Sequence, residues 1–236
     1  MKITLLTGQT FDIQQALGIN IKIIKSPRAK KLTLRIDTQE RLPVLTVPKR
    51  CSVKRASEFV RQNMGWIDEN LGKIPESRRF ENGETISLFG KKYTICHIPK
   101  LRKGVFIEGE TLYVSGAKEF MHRRICDFIK KMAQQKLYEL SQQKAGEIGC
   151  RVKRVLIKDT KSRWGSCSSI SNINYNWRIA LAPTFVIEYL VAHEVSHLRH
   201  QDHSRDFWNC VCSLYTRSAE GRRWLKNHGR ELYLYE

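Results

Sequence analysis

The stretch Pro183-Thr184-Phe185-Val186-Ile187-Glu188-Tyr189-Leu190-Val191-Ala192-His193-Glu194-Val195-Ser196-His197 decides how this chain is read. Proline suits the first turn of a helix, where its missing N–H costs nothing. An apolar run follows, and the run ends in H-E-x-x-H. Histidines four apart on a helix lie one above the other on one face. Their imidazoles can then grip one ion at the roughly 2.0–2.1 Å that zinc–nitrogen bonds require. Glu194 is turned by about 100° from His193. It can stand beside the metal without ligating it, take a proton from attacking water and deliver it to a leaving group. The plainer alternative is a pair of packed histidines with a solvated Glu194.

Working outward, a third ligand is needed, and three residues offer themselves. His200 is seven residues from His193, nearly on the same face, but seven residues of helix rise about 10.5 Å, too far for one ion unless the helix breaks. His203 lies beyond Gln201 and Asp202, polar residues where the helix can end and the chain fold back. Glu220 sits 23 residues past His197 on a later helical segment. His203 is favoured, then Glu220. The spacing to His203 also suits a metzincin, but His200 stands where that group has glycine. All four methionines (Met1, Met64, Met121, Met132) lie upstream, so a methionine turn is missing.

Upstream, the first hundred residues read mainly as strands. Leu32, Leu34 and Ile36 alternate with polar neighbours, as do Leu42, Val44 and Thr46. Pro43 and Pro48 call for edge positions or strand ends. One helix is expected over 53–71, with Gly72 as its stop. Strands are expected near Thr85–Leu88 and Lys92–His97. A hairpin over 105–114 turns at Glu108-Gly109. A long amphipathic helix fits 117–148. Strand-like segments at 152–157 and 173–181 flank a polar stretch over 161–171. Short helices fit 205–215 and 219–228. The reading is an α+β protein: a β-rich N-terminal lobe over 1–115, and a helix–small sheet–helix unit over 116–236 that carries the site.

Composition sets the outer limits. With 41% hydrophobic and 28% charged residues, a sizeable core is expected and global disorder is not. No apolar run approaches the roughly 18 residues of a membrane helix, so no membrane partner is expected. The apolar patch near Met1 is too short for a signal-peptide core. Seven cysteines without a C-x-x-C pair then read as reduced thiols in a cytoplasm. Cys167, Cys210 and Cys212 are taken as free thiols rather than ligands. The formal net charge is +19, and it is uneven: +8 over 1–60, +2 over 61–120, +9 over 121–180 and zero over 181–236. Such a field draws polyanions, so nucleic acid at the basic blocks is a possible partner.

Further motifs follow in order: Arg163-Trp164-Gly165-Ser166-Cys167, Asn176-Trp177-Arg178, Leu181-Ala182-Pro183, the H-E-x-x-H helix with Leu198, and His203-Ser204-x-x-Phe207-Trp208. Together they resemble the YgjP-like family of predicted metal-dependent hydrolases, a zincin-like group related to the SprT-like and WLM metallopeptidases. The resemblance spans roughly 20–230. It implies His193, His197 and His203 as zinc ligands and Glu194 as catalytic acid/base. Ser196 departs from the small apolar residue usual there. Read physically, 163–167 or a strand over 174–179 would be the cleft edge that pairs with an extended substrate. Gly165 would allow close backbone approach. Arg163, Trp164, Gly165, Asn176 and Arg178 are thus substrate-binding candidates. Against this, Trp164 and Trp177 can equally be core aromatics and Arg178 a structural ion pair. Phe207 and Trp208 are expected to clamp the ligand loop. Tyr215 and Arg178 are the candidates for an oxyanion donor.

Three functions fit. The first is a zinc peptidase acting on protein or peptide, with the basic blocks recruiting nucleic-acid-associated substrates. The second is hydrolysis of a nucleotide phosphoanhydride on the same metal, although no P-loop is present. The third is a nucleic-acid-binding module with structural zinc. That one leaves Glu194 without a role, and structural zinc usually has four protein ligands, mostly cysteine.

Overall fold

A computed structural model describes residues 3–4, 10–11, 18–37, 40–72, 78–160 and 162–235. Most of the opening patch read above as too short for export therefore lies outside the described residues. The chain divides into two units, Met1–Glu76 and Ser77–Glu236.

The first unit pairs β1 (Ile3–Thr4) with β2 (Thr10–Phe11). A separate three-stranded sheet follows: β3 (Lys22–Ser26), β4 (Thr33–Asp37) and β5 (Leu42–Pro48), in the order β3-β5-β4. β5 is the central strand, and Pro43 and Pro48 sit at its ends. The parallel pairing with β3 begins only at Val44, so the N–H missing at Pro43 is not needed there. The single helix expected over 53–71 is two: α1 (Val53–Gln62), capped by Ser52, and α2 (Met64–Gly72). The break falls at Asn63, whose side-chain amide donates to the Phe59 carbonyl at 2.7 Å. Asparagine competes in this way with the helix's own bonds. Ile21, Ile23, Leu45, Val47, Ala56, Val60 and Ile67 form this unit's core.

The second unit opens with β6 (Thr85–Leu88), β7 (Lys91–Ile98), β8 (Val105–Glu108) and β9 (Thr111–Ser115), ordered β6-β7-β9-β8. Helix α3 (Met121–Glu147) crosses next. A second sheet, β10 (Arg154–Lys158), β11 (Gly165–Cys167) and β12 (Asn172–Asn176), has the order β10-β12-β11. Helices α4 (Thr184–Ser196), α5 (Arg205–Leu214) and α6 (Ser218–Leu232) complete it. The mixed α+β reading stands, but the four-stranded sheet does not end a separate lobe near 115. Its inner face (Ile86, Leu88, Ile95, Leu112, Val114) shares one core with Ile125, Ile129, Ala133 and Leu137 of α3 and Val186 and Val191 of α4. The β6–β7 turn is also locked to the start of α4. Phe89 N–H donates to the Ala180 carbonyl at 2.8 Å, and the Thr184 hydroxyl donates to the Phe89 carbonyl at 3.2 Å. Gly90, at φ +77°, has no room for a Cβ against Thr184.

Helix α4 is apolar nearly all round, as a helix enclosed on every side must be. Val186, Ile187, Leu190, Val191, Ala192 and Val195 are all buried. The polar exceptions His193, Glu194 and Ser196 gather at its C-terminal end. No helix among the described residues is long and apolar enough to cross a membrane.

Candidate active site

Helix α4 ends at Ser196, earlier than the polar Gln201-Asp202 pair suggests, and His197 is its C-terminal cap. The chain turns through 197–200 and re-enters helix at Ser204, whose hydroxyl caps α5 by accepting the Phe207 N–H. This reversal brings His203 back over the helix end. One ring nitrogen from each of His193, His197 and His203 lies within 4.8 Å of the other two. His193 Nε2 and His203 Nε2 are 3.3 Å apart. Two nitrogens held tetrahedrally at zinc–nitrogen bond lengths would be about 3.3 Å apart. His197 Nδ1 lies 2.9 Å from the His200 carbonyl. A proton on Nδ1 satisfies that carbonyl and leaves Nε2 as the ligand atom, the usual outer support of a metal-bound histidine.

Electrostatics suits the same use. Burial, then the neighbouring His197, His203 and Arg222, push the His193 imidazole down to about 3, so it stays neutral at physiological pH. His197 is also lowered, chiefly by burial. Neutral imidazole is the ligating form. His193 Nδ1, the other nitrogen of that ring, is buried without a hydrogen-bond partner among the described residues. Phe207 braces all three rings, with centroids 5.0, 4.5 and 4.7 Å from His193, His197 and His203. The expected clamp is therefore in place. These residues fit a metal ion with three nitrogen donors. Of the other candidates, His200 offers its carbonyl to His197, and Glu220 is exposed and paired with Arg217 at 2.8 Å. His203→Ala should lower zinc affinity at least about tenfold, and Glu220→Ala should leave it unchanged, in competition with a chromogenic chelator. The reverse ranking would move the third ligand to α6.

Glu194 is only 4% exposed. Burial pushes its carboxyl up to about 8, while the Arg163 charge pulls the other way. Gly165 presses on it: a Cβ there would lie 2.3 Å from Glu194 Oε1. Ser196, the family departure, is accommodated because its buried hydroxyl donates to the Ala192 carbonyl at 2.7 Å.

A cleft of about 400 Å³ opens beside these groups, lined by Arg163, Trp164, Gly165, Tyr189, Leu190, His193, Glu194, Arg222, Leu225 and Lys226. Three of the five substrate-binding candidates are thus here. Asn176 and Arg178 are not: they are 1% and 2% exposed. Asn176 donates to the Thr160 carbonyl at 2.7 Å and accepts the Arg178 N–H at 3.0 Å. Arg178 pairs with Asp159, donates to the Tyr235 carbonyl and stacks on Trp177. The strand expected over 174–179 stops at Asn176, a 3-10 helix over Trp177–Leu181 holds Arg178, and the strand is no edge. β12 is central, paired with β10 on one side and β11 on the other, so the free edge beside the site is β11. Tyr215 packs against Lys144, away from the cleft. Arg178→Met should cost about 2 kcal/mol, read as a lower urea midpoint at unchanged slope, with kcat and KM unaltered. A raised KM at full stability would return Arg178 to the substrate.

Sequence reasoning missed Tyr189, Arg222 and Lys226. The only signal available was the i, i+4 spacing of Arg222 and Lys226 on an expected helix.

The domain is thus α+β, and His203 returns to the end of the helix that carries His193 and is capped by His197. Residues 30–228 match the family model described as YgjP-like, metallopeptidase domain, and the chain belongs to the YgjP-like family. No curated protein and no solved structure matches it.

Proposed function

We propose that the protein is a zincin-type, zinc-dependent hydrolase that cleaves peptide bonds, with Glu194 as general base and then general acid. The observation that carries this reading is a buried carboxylate, Glu194, lining one cleft together with His193, on which nitrogens of His197 and His203 converge. His193, His197 and His203 would hold the ion. Zinc, when bound, supplies Lewis acidity toward a carbonyl and lowers the pKa of water to about 7. Glu194 accepts the proton of the attacking water and passes it to the departing amine. The edge of β11 offers backbone groups to an extended substrate, in the manner of β-strand addition. Trp164 and Leu225 supply apolar wall. The basic blocks over 1–60 and 121–180 draw nucleic-acid-associated substrates, in a cytoplasmic setting.

One observation favours a second reading, hydrolysis of a nucleotide phosphoanhydride: three of the ten residues lining the cleft are cations, Arg163, Arg222 and Lys226. A single mass-spectrometric assay separates the two. Zinc-loaded protein is given a denatured protein target and the four nucleoside triphosphates together, with chelator-treated protein as the blank. New peptides absent from the blank support the peptidase. Nucleoside monophosphate and pyrophosphate without new peptides would overturn it in favour of the second reading.

A further inference from the structure

The wall of the cleft opposite Glu194's helix has a chemistry of its own. Helix α6 reaches the site because glycine lets it. A Cβ at Gly221 would lie 2.4 Å from Tyr189 Cβ, and one at Gly229 would lie 3.2 Å from the Trp164 ring. Between these two close approaches, Arg222 and Lys226 stand four residues apart on one helical face and line the cleft. Arg163 faces them from the segment that leads into β11.

Arg222 is held rather than free in solvent. Its guanidinium lies over the Trp208 ring, 4.6 Å from the centroid. Trp208 in turn lies 5.8 Å from the His193 ring and 6.0 Å from the His203 ring. A planar cation stacked on an aromatic is pre-organised to bond an anion through two N–H groups. Among the described residues, Arg163, Arg222 and Lys226 have no carboxylate within ion-pair distance. The acids of α6 are engaged elsewhere, Glu220 with Arg217 and Glu231 with His228. Glu194 is the one acid lining the cleft. Three cations against one carboxylate around a volume this small leave an excess of positive charge, which favours a negatively charged occupant and disfavours a basic one.

We propose that Arg163, Arg222 and Lys226 form an anion subsite, and that the substrate carries a negative group beside the bond that is broken. That group is an acidic side chain or terminal carboxylate in a peptide, or a phosphate in a nucleotide; the recognition chemistry is shared. The position of the bond rests on the hydrolase reading above, whereas anion binding itself is measured without turnover.

The test is calorimetric titration of zinc-loaded Glu194→Gln protein with three probes: a tetra-aspartate peptide, a tetra-serine peptide and ATP. The same titrations are run after adding Arg222→Ser and Lys226→Ser, both at exposed positions. An unchanged urea midpoint verifies that the fold survives. At least one anionic probe should bind about tenfold tighter than tetra-serine, and the double substitution should remove about that factor. Preference for tetra-aspartate assigns the subsite to a peptide carboxylate, and preference for ATP assigns it to a phosphate. Equal affinity for all three probes, or anion affinity untouched by the two substitutions, overturns the proposal. Anion binding through these residues in an enzyme that cuts no peptide leaves the subsite standing and removes the peptidase reading instead.

Discussion

Glu194→Gln is expected to bind zinc as the unaltered protein does and to lose hydrolysis by about 10²–10⁴-fold, the range for a positioned general base. The substitution keeps the shape of the side chain and removes only its ability to carry the proton. Little else should change, because Glu194 forms no ion pair with a described residue, and the Arg163 charge acts on it only at longer range. The carboxyl is buried in a helix whose other faces are fixed by the core, and Gly165 leaves it no room to swing aside. Burial alone raises its proton affinity, and Arg163 opposes that rise. A cation among the histidines would oppose it further, leaving a base able both to take and to return a proton near neutrality. Turnover, zinc affinity and urea midpoint are measured on the same preparation. Normal turnover with zinc bound would sink the proposed chemistry, whichever bond is cut.

The histidine cluster was legible in the sequence because it rests on local geometry. Four residues of helix fix His193 over His197, and a short reversal suffices to return His203. Even so, the reversal begins at His197 itself, since the His200 carbonyl is needed to orient that ring. The hairpin was legible for the same reason, although its turn falls one residue later, at Gly109-Glu110. What lay beyond reach depends on partners far along the chain. β12 looks like a possible edge until β10 is seen to pair with it in parallel. The four-stranded sheet reads as the end of one lobe until its inner face is seen in the core of the next. Asn176 and Arg178 sit in a motif that looks polar and available, yet they anchor Asp159, Thr160 and the C-terminal Tyr235. Arg222 and Lys226 look like ordinary surface charges, because nothing local says that Gly221 will let α6 lie against Tyr189. Asn63 splits a helix whose apolar periodicity runs straight through it.

Gly165→Ala should lower turnover about 100-fold while leaving zinc affinity intact, a size typical of displacing a catalytic group by roughly 1 Å. The added Cβ would lie 2.3, 2.6 and 2.7 Å from Glu194 Oε1, Cδ and Cγ, so something must move. The strand cannot retreat freely. Gly165 pairs with Tyr175, and the Trp164 carbonyl accepts the Asn176 N–H at 2.7 Å. Helix α4 cannot retreat either, being packed on all sides. The carboxylate therefore yields, and the histidine rings, which the added Cβ does not meet, do not. Backbone strain is not involved, because Gly165 is not among the residues at positive φ. Gly65→Ala, where an added Cβ meets nothing within 4 Å, is the matched control and should leave turnover unchanged. The decisive measurement is the double variant. If Gly165 acts only by seating Glu194, then Gly165→Ala adds little further loss once Glu194 is already glutamine, and the two effects fail to multiply. Full multiplication would mean that Gly165 serves the substrate directly, through the edge of β11, and that Glu194 keeps its position without it.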